Sequence, residues 1–183
     1  MRRLRDGWFA GRVRGGLGWM ALLVLGCVAL VGCGGGAAAT APAAAVAVEP
    51  GGAECAVCGM VVREQPSPRG QVVHRDGSHQ HFCSIGDMRA YLQTPGPLGA
   101  PVAAFVEVMP AGTNLYERDP APRPWVPAED ASYVVDFRRI GVMGLPVGSF
   151  ATPADAAAAA PGVQGRVTTW EALRATPFNA VPE

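Results

Sequence analysis

The chain has 183 residues with 15 basic and 15 acidic side chains, so its formal net charge at pH 7 is zero. All of the basic residues are arginines. This balance excludes a strongly basic nucleic-acid-binding protein, and the length suits one domain or two small ones with a hydrophobic core.

The N-terminus has the organisation of a bacterial export signal. Its first 14 residues hold five arginines and one acid, and no charge occurs from Gly15 to Gly32. The apolar run ends in Leu30-Val31-Gly32-Cys33, which resembles the lipobox of bacterial lipoproteins. We therefore predict a signal peptide at residues 1–32 and lipidation of Cys33, with the protein anchored at a membrane and facing the periplasm. An uncleaved membrane anchor is the alternative, since the length fits both.

Residues 33–53 are predicted to be a flexible, lipidated tether, because they are rich in Ala, Gly and Pro and show no apolar periodicity. Removal of the signal peptide leaves 10 arginines against 14 acidic residues, a net charge of about −4. This acidic balance also gives no indication of nucleic-acid binding.

Residues 54–112 are predicted to form a first small unit of strands and one helix. The Asp76-Gly77 pair favours a hairpin, and Ser84 with Asp87 is typical of a helix start. The predicted elements are strands at Val57–Val62, Gly70–His74, His79–Phe82 and Val102–Met109, and a helix at Ser84–Gln93.

A Pro-rich linker is predicted at residues 113–130, followed by a second unit at residues 131–183. The second unit begins with a strand from Ser132 to Ile140 and continues with a turn and a short strand. A helix from Thr152 to Gly162 and a strand from Gly165 to Thr169 follow. Both halves have the order strand, strand, helix, strand. The predicted fold class is thus α+β, built from two similar ββαβ units.

Three cysteines, Cys55, Cys58 and Cys83, lie after the tether. Cysteines outside the cytoplasm tend to oxidise unless a metal or a reductant keeps them reduced, and an odd number leaves one unpaired. If Val57–Val62 is a strand, Cys58 and Met60 point to one face. A thiolate beside a thioether is a soft donor pair that favours Cu(I).

Several residues are candidates for a further metal ligand. Alternation along the strand His79–Phe82 places His79, His81 and Cys83 on one face, which forms a second candidate row. The remaining candidates are Met109, at the end of a predicted strand, and Met143, in a predicted turn. Each has a structural alternative, namely a solvated polar face for the histidines and core packing for Met109.

Two other functions fit the cysteine pattern. The first is a structural zinc module with Cys55, Cys58, Cys83 and either His79 or His81 as ligands. The second is a thiol oxidoreductase that uses Cys55 and Cys58, although the residues after this C-x-x-C motif are typical of a strand and not of the expected helix start.

Several segments together resemble the NosL family of copper-binding lipoproteins. They are Cys58-Gly59-Met60, Pro68 to Val72, Phe82 to Ser84, the strand ending at Met109, Trp125 to Ala128, Ser132 to Val135, and Met143-Gly144. The resemblance extends from about Glu54 to Leu173 and agrees with the lipobox.

The resemblance implies a periplasmic Cu(I) metallochaperone, not an enzyme, that serves the maturation of nitrous oxide reductase. It implies Cys58 and Met60 as copper ligands and Met109 as the third. The partner would be the copper-receiving metalloenzyme or its maturation complex. Cys55 and Cys83 lie outside the core of the family motif, and they either add ligands to the copper site, form a disulfide or are specific to a subgroup. The turn around Met143 lacks the family's usual Pro-Met-Gly order.

Overall fold

The computed structural model describes residues 45–66, 68–138 and 145–177, in which two antiparallel sheets are accompanied by three α-helices. The first sheet contains β1 (Gly70–Val73), β2 (His79–Phe82), β3 (Ala103–Glu107) and β4 (Trp125–Pro127), with α1 (Ile85–Leu92) between β2 and β3. The second contains β5 (Ser132–Val135), β6 (Gly148–Phe150) and β7 (Arg166–Thr169), with α2 (Pro153–Val163) before β7 and α3 (Trp170–Ala175) after it.

The two sheets repeat one arrangement. The first three strands of the first sheet have the order β2-β1-β3, and the second sheet has the equivalent order β6-β5-β7. In each case the first strand of the unit is central and pairs antiparallel with both neighbours. The predicted α+β fold with two ββαβ units is therefore confirmed.

Local signals place the hairpin and the helix starts. Gly77 adopts a φ of +82° in the turn between β1 and β2, a conformation that favours glycine. The side chains of Ser84 and Thr152 accept hydrogen bonds from the backbone N–H groups of Asp87 and Asp155, which caps α1 and α2.

The predicted strand at Val57–Val62 is wrong. Residues 53–62 instead form a small hairpin: the N–H of Cys55 donates to the carbonyl of Met60 at 2.8 Å, and the N–H of Val62 donates to the carbonyl of Ala53 at 3.0 Å. Gly59 has a φ of +74°, so the backbone between Cys58 and Met60 is not extended. The alternation that was expected to place Cys58 and Met60 on one face does not apply.

Two further elements were not predicted. Trp125–Pro127, within the predicted linker, pairs with β3 as β4, and Trp170–Ala175 forms α3. The boundaries of the predicted domains stay predictions. The signal peptide, Cys33, most of the tether and the turn with Met143 lie outside the described residues. Among the described residues, the helices are too short or too polar to cross a membrane.

The main hydrophobic core is shared by the two ββαβ units. Phe82, Ile85 and Met88 of the first unit belong to the same buried cluster as Tyr133 and Trp170 of the second. Cys55 and Cys83 are also part of this cluster. The cysteines are consequently held by the packing of the whole fold, and not only by their local segments.

Gly86, in the first turn of α1, allows the second unit to approach this helix closely. A Cβ atom at this position would clash with the carbonyl oxygen of Leu145. Because Gly86 directly precedes Asp87, this contact fixes the part of α1 that carries the Asp87 side chain.

Gly86→Ala is expected to destabilise the protein by about 1–3 kcal/mol, since backbone atoms must move to admit the methyl group. Gly162→Ala in α2 is the matched control, because nothing lies within 4 Å of its Cβ position. This control should stabilise the fold by about 0.5–1 kcal/mol, as alanine favours a helix over glycine. Urea unfolding followed by circular dichroism measures both, and equal stabilisation by the two changes would contradict the close approach.

Candidate metal centre

The first two cysteines are positioned by the hairpin at residues 53–62. Cys55 ends its first arm, and the carbonyl of Cys55 accepts a hydrogen bond from the N–H of Gly59 at 2.9 Å, which closes a loop that contains Cys58. The first arm lies beside β2, where the N–H of Ala56 donates to the carbonyl of His81 at 3.0 Å. This pairing brings the cysteines of the loop to the end of β2.

The other two groups lie where β2 leads into α1. Cys83 follows the last residue of β2, and Ser84 is the N-cap of α1. Asp87 lies in the first turn of α1, four residues after Cys83. The Sγ of Cys83 donates to Oδ2 of Asp87 at 3.0 Å.

These four residues converge on one point. One potential ligand atom from each of Cys55, Cys58, Cys83 and Asp87 lies within 4.8 Å of the others. The Sγ atoms of Cys58 and Cys83 are 3.3 Å apart, and the Sγ of Cys55 is 3.8 Å from Oδ2 of Asp87. All three cysteines are free thiols. We refer to these four residues as the thiol-carboxylate cluster.

Access to the thiol-carboxylate cluster is one-sided. Cys55 and Cys83 are 3% and 5% exposed, and Asp87 is 5% exposed. Cys58 is half-buried, and Val57, its neighbour in the loop, is 46% exposed. An incoming ion or ligand therefore meets Cys58 first.

The thiols differ in their pKa values. The polar side chain of Cys83, together with backbone hydrogen bonds, lowers the pKa of Cys55 to about 4, although burial opposes this. The hydrogen bond to Cys55 and burial raise the pKa of Cys83, and burial raises the pKa of Cys58. Burial also raises the pKa of Asp87, against the effect of its hydrogen bond from Cys83.

These directions describe a site that resists full ionisation when no cation is bound. One thiolate, at Cys55, is stabilised by its neighbours, whereas further negative charge in the same buried space is unfavourable. A bound cation removes that penalty and displaces the thiol protons, because thiolates and not thiols are metal ligands. The cluster has the chemistry of a cation site with soft donors.

The two predicted methionine ligands lie in different parts of the fold. Met60 is half-buried and packs against the main core cluster, as does Cys58. Met109 is 4% exposed and belongs to a second buried cluster, with Leu115, Phe150 and residues of α2. Its role as the third ligand stays a prediction, and its packing is that of a core residue.

His79 and His81, which were predicted to form a ligand row with Cys83, are not members of the thiol-carboxylate cluster that contains Cys83. His79 and His81 lie two residues apart on β2 with nearly parallel rings. Burial lowers the pKa of His81, and electrostatic repulsion by the nearby His79 lowers it further by a smaller amount.

Asp87 is the member of the cluster that sequence reasoning missed as a ligand. An acidic residue three positions after a serine is typical of a helix cap, and this role was sufficient to explain Asp87 in the sequence. The spacing of Cys83 and Asp87 at i and i+4 across the helix start was the available signal. It became informative only when Asp87 was found to be buried.

The family was determined by comparison with known proteins. The family model for NosL matches residues 46–177, which include every residue of the cluster. The chain belongs to the NosL family. Its predicted resemblance is confirmed, and the family match also includes Met60, Met109, His79 and His81.

The chain is similar to individual NosL proteins. The copper-binding lipoprotein NosL of Stutzerimonas stutzeri is 34% identical over 120 residues, which are 66% of this chain and 61% of that relative. The crystal structure of the copper chaperone NosL from Shewanella denitrificans superposes with a TM-score of 0.59 at 25% identity, covering 69% of this chain and 94% of that one. For the solution structure of apo-NosL from Achromobacter cycloclastes, the TM-score is 0.44 at 25% identity, with 62% and 94% covered.

Proposed function

We propose that this protein is a Cu(I) metallochaperone in which the thiol-carboxylate cluster receives the ion. The observation that supports this most directly is the convergence of three free thiols on one half-open position, in a chain related to a copper-binding lipoprotein and a copper chaperone. Thiolate ligands favour soft metal ions, and Cu(I) is a soft ion. Bound copper is the cargo, and no reaction is catalysed.

The half-exposed side of the cluster suits transfer. Cys58 and Met60 flank Gly59 in the hairpin and both are half-buried, and we propose Met60 as an additional thioether ligand beside Cys58. A site with two or three sulfur ligands and an open position allows a ligand of the recipient to attack before the ion is released. The buried Cys55 and Cys83 would hold the ion from the protein side.

We further propose that Cys33 is lipidated and that residues 33–53 tether the protein to a membrane on its periplasmic side. The lipobox-like sequence and the description of the Stutzerimonas stutzeri relative as a lipoprotein support this. A tether of about 20 residues allows the cluster to reach a membrane-associated or soluble recipient.

The proposed recipient is nitrous oxide reductase or its maturation machinery, with another copper enzyme as the alternative. Family membership supports this recipient. The thiol-carboxylate cluster itself explains how the ion is bound and does not identify the recipient. Co-purification of the Cu(I)-loaded protein with apo nitrous oxide reductase, and transfer of copper between them, would test it.

Met60→Ala is expected to lower the Cu(I) affinity by about tenfold or more and to leave Zn(II) binding unchanged, since a thioether is a ligand for soft ions and zinc rarely uses it. Anaerobic competition titrations of the reduced protein measure both affinities. Equal effects on the two metals, or none on either, would remove Met60 from the site.

Met109→Ala tests the third ligand that family resemblance implies. Because Met109 is buried in the second core cluster, we expect a loss of about 2–5 kcal/mol in the free energy of unfolding, with Cu(I) affinity retained. A loss of Cu(I) affinity in the folded variant would instead support Met109 as a ligand.

A structural zinc site is the second candidate, because three thiolates and a carboxylate also complete a tetrahedral zinc shell. Asp87 is the fourth member of the thiol-carboxylate cluster, which includes neither His79 nor His81. A zinc site of this kind would keep its ion in the presence of chelators until the protein unfolds. Retention of Zn(II) against excess Cu(I) would favour this function over copper transfer.

A further inference from the structure

We propose that His79 and His81 form a second metal site, separate from the thiol-carboxylate cluster, that binds a divalent copper ion on the face of β2. The site does not depend on the proposed function, because it uses imidazole and not thiolate ligands. The four members of the thiol-carboxylate cluster include neither histidine.

The geometry of β2 places the two imidazoles within chelating distance. Residues i and i+2 of a strand project from the same face, and the ring centroids of His79 and His81 are 6.1 Å apart. A metal–nitrogen bond of about 2.0–2.1 Å puts each ring centroid about 3.2 Å from the ion, so two bound rings have centroids at most about 6.4 Å apart. Both residues are half-buried, which leaves an approach from solvent.

His79 is oriented by its neighbours as metal ligands commonly are. Gln71 is opposite His81 on β1, and its Oε1 lies 3.2 Å from Nδ1 of His79. The amide orientation is fixed: Oε1 accepts from the N–H of Val48 at 3.0 Å, and Nε2 donates to the carbonyl of Val48 at 2.9 Å. Nδ1 of His79 must therefore carry the hydrogen and donate, which leaves the lone pair of Nε2 for a metal.

His81 supplies the movable ring. The planes of the two rings are inclined by 17°, so one ring must turn before both nitrogens point at the same ion. Nδ1 of His81 is buried and has no hydrogen-bond partner among the residues that the structure describes. Rotation about the Cβ–Cγ bond has a broad energy minimum, so this ring can turn easily. The rotation breaks no hydrogen bond at Nδ1 and can give this nitrogen a partner.

The ligand type indicates the ion. Imidazole suits Cu(II), Ni(II) and Zn(II), and among divalent first-row ions copper binds such sites most tightly. Two imidazoles with water in the remaining positions give a nitrogen and oxygen environment for Cu(II). The site would let the protein bind copper in the oxidation state that thiolates do not favour.

The test uses the full chain in detergent with Cys55, Cys58 and Cys83 all replaced by serine, titrated with Cu(II) and observed by electron paramagnetic resonance. We expect one equivalent of Cu(II) with two nitrogen ligands, and a loss of affinity of about tenfold or more in His79→Ala and in His81→Ala. Gln80→Ala, on the opposite face of β2, is the matched control and should bind normally. Gln71→Leu should weaken binding through the orientation of His79.

The wild-type chain provides a second measurement if the triple serine variant fails to fold. Its thiols are first occupied with Cu(I) or Zn(II), both of which are silent in this spectroscopy, and Cu(II) is then added. Nitrogen coupling that disappears in the histidine variants supports the site. Cu(II) binding that is absent, or unchanged by both histidine substitutions, overturns it. In the triple serine variant these outcomes are independent of whether Cu(I) binds the thiols.

Discussion

Cys83→Ser is expected to lower the Cu(I) affinity by more than about a hundredfold. Loss of a group that only supports a metal ligand commonly costs about 10- to 100-fold, and loss of a ligand itself costs more. Cys83 is the central member of the cluster, with its Sγ 3.3 Å from the Sγ of Cys58 and 3.0 Å from the carboxylate of Asp87. Serine keeps the size of the side chain but replaces a soft donor by a hard one.

The Cys83→Ser experiment needs a control for damage to the core, because Cys83 is also buried. Met88→Leu provides it: Met88 lies on α1 in the same buried cluster, and this change removes a core sulfur with little change of volume. Anaerobic competition for Cu(I), with folding checked by circular dichroism, should show unchanged affinity for Met88→Leu. Wild-type affinity in a folded Cys83→Ser protein would exclude this cluster as the copper site.

Glu107→Ala is expected to reduce the free energy of unfolding by about 3–5 kcal/mol, because it leaves a buried arginine without its counter-ion. Arg69 and Glu107 are 2% and 0% exposed. Nε and one terminal nitrogen of Arg69 donate to the two carboxylate oxygens at 2.7 and 2.6 Å, and the N–H of Arg69 donates at 3.0 Å. Since Arg69 also donates to the carbonyl of Arg63, just beyond the hairpin, the pair supports the cysteine loop.

An exposed ion pair serves as the control for Glu107→Ala. In the pair of Arg166 and Asp136, the side chains are 61% and 37% exposed, so Asp136→Asn should cost at most about 1 kcal/mol. The double variant Arg69→Met with Glu107→Leu should recover part of the loss, since it removes both buried charges. Urea unfolding measures all three variants. A cost for Glu107→Ala as small as that for Asp136→Asn would show that the buried pair does not stabilise this fold.

Features that depend on neighbours along the chain were predictable from the sequence. The Asp76-Gly77 turn, the caps of α1 and α2 and the repeated order of strands and helix each rest on residues a few positions apart. The presence of soft donor atoms was predictable for a similar reason, because the properties of thiols and thioethers belong to the residues themselves. The short apolar run at Val57–Val62 was misread, since six residues do not distinguish a strand from one arm of a hairpin and its loop.

The composition of the site was decided by tertiary structure. Cys58 and Cys83 are 25 positions apart and meet because the arm that carries Cys55 pairs with β2. Asp87 became part of the cluster because core packing buries the start of α1, and packing also placed Met109 in a second core cluster. The sequence by itself determined which donor atoms this protein has and which local turns and caps it forms. Only the fold decided which donors share one position, because that depends on contacts between segments whose separation along the chain carries no local signal.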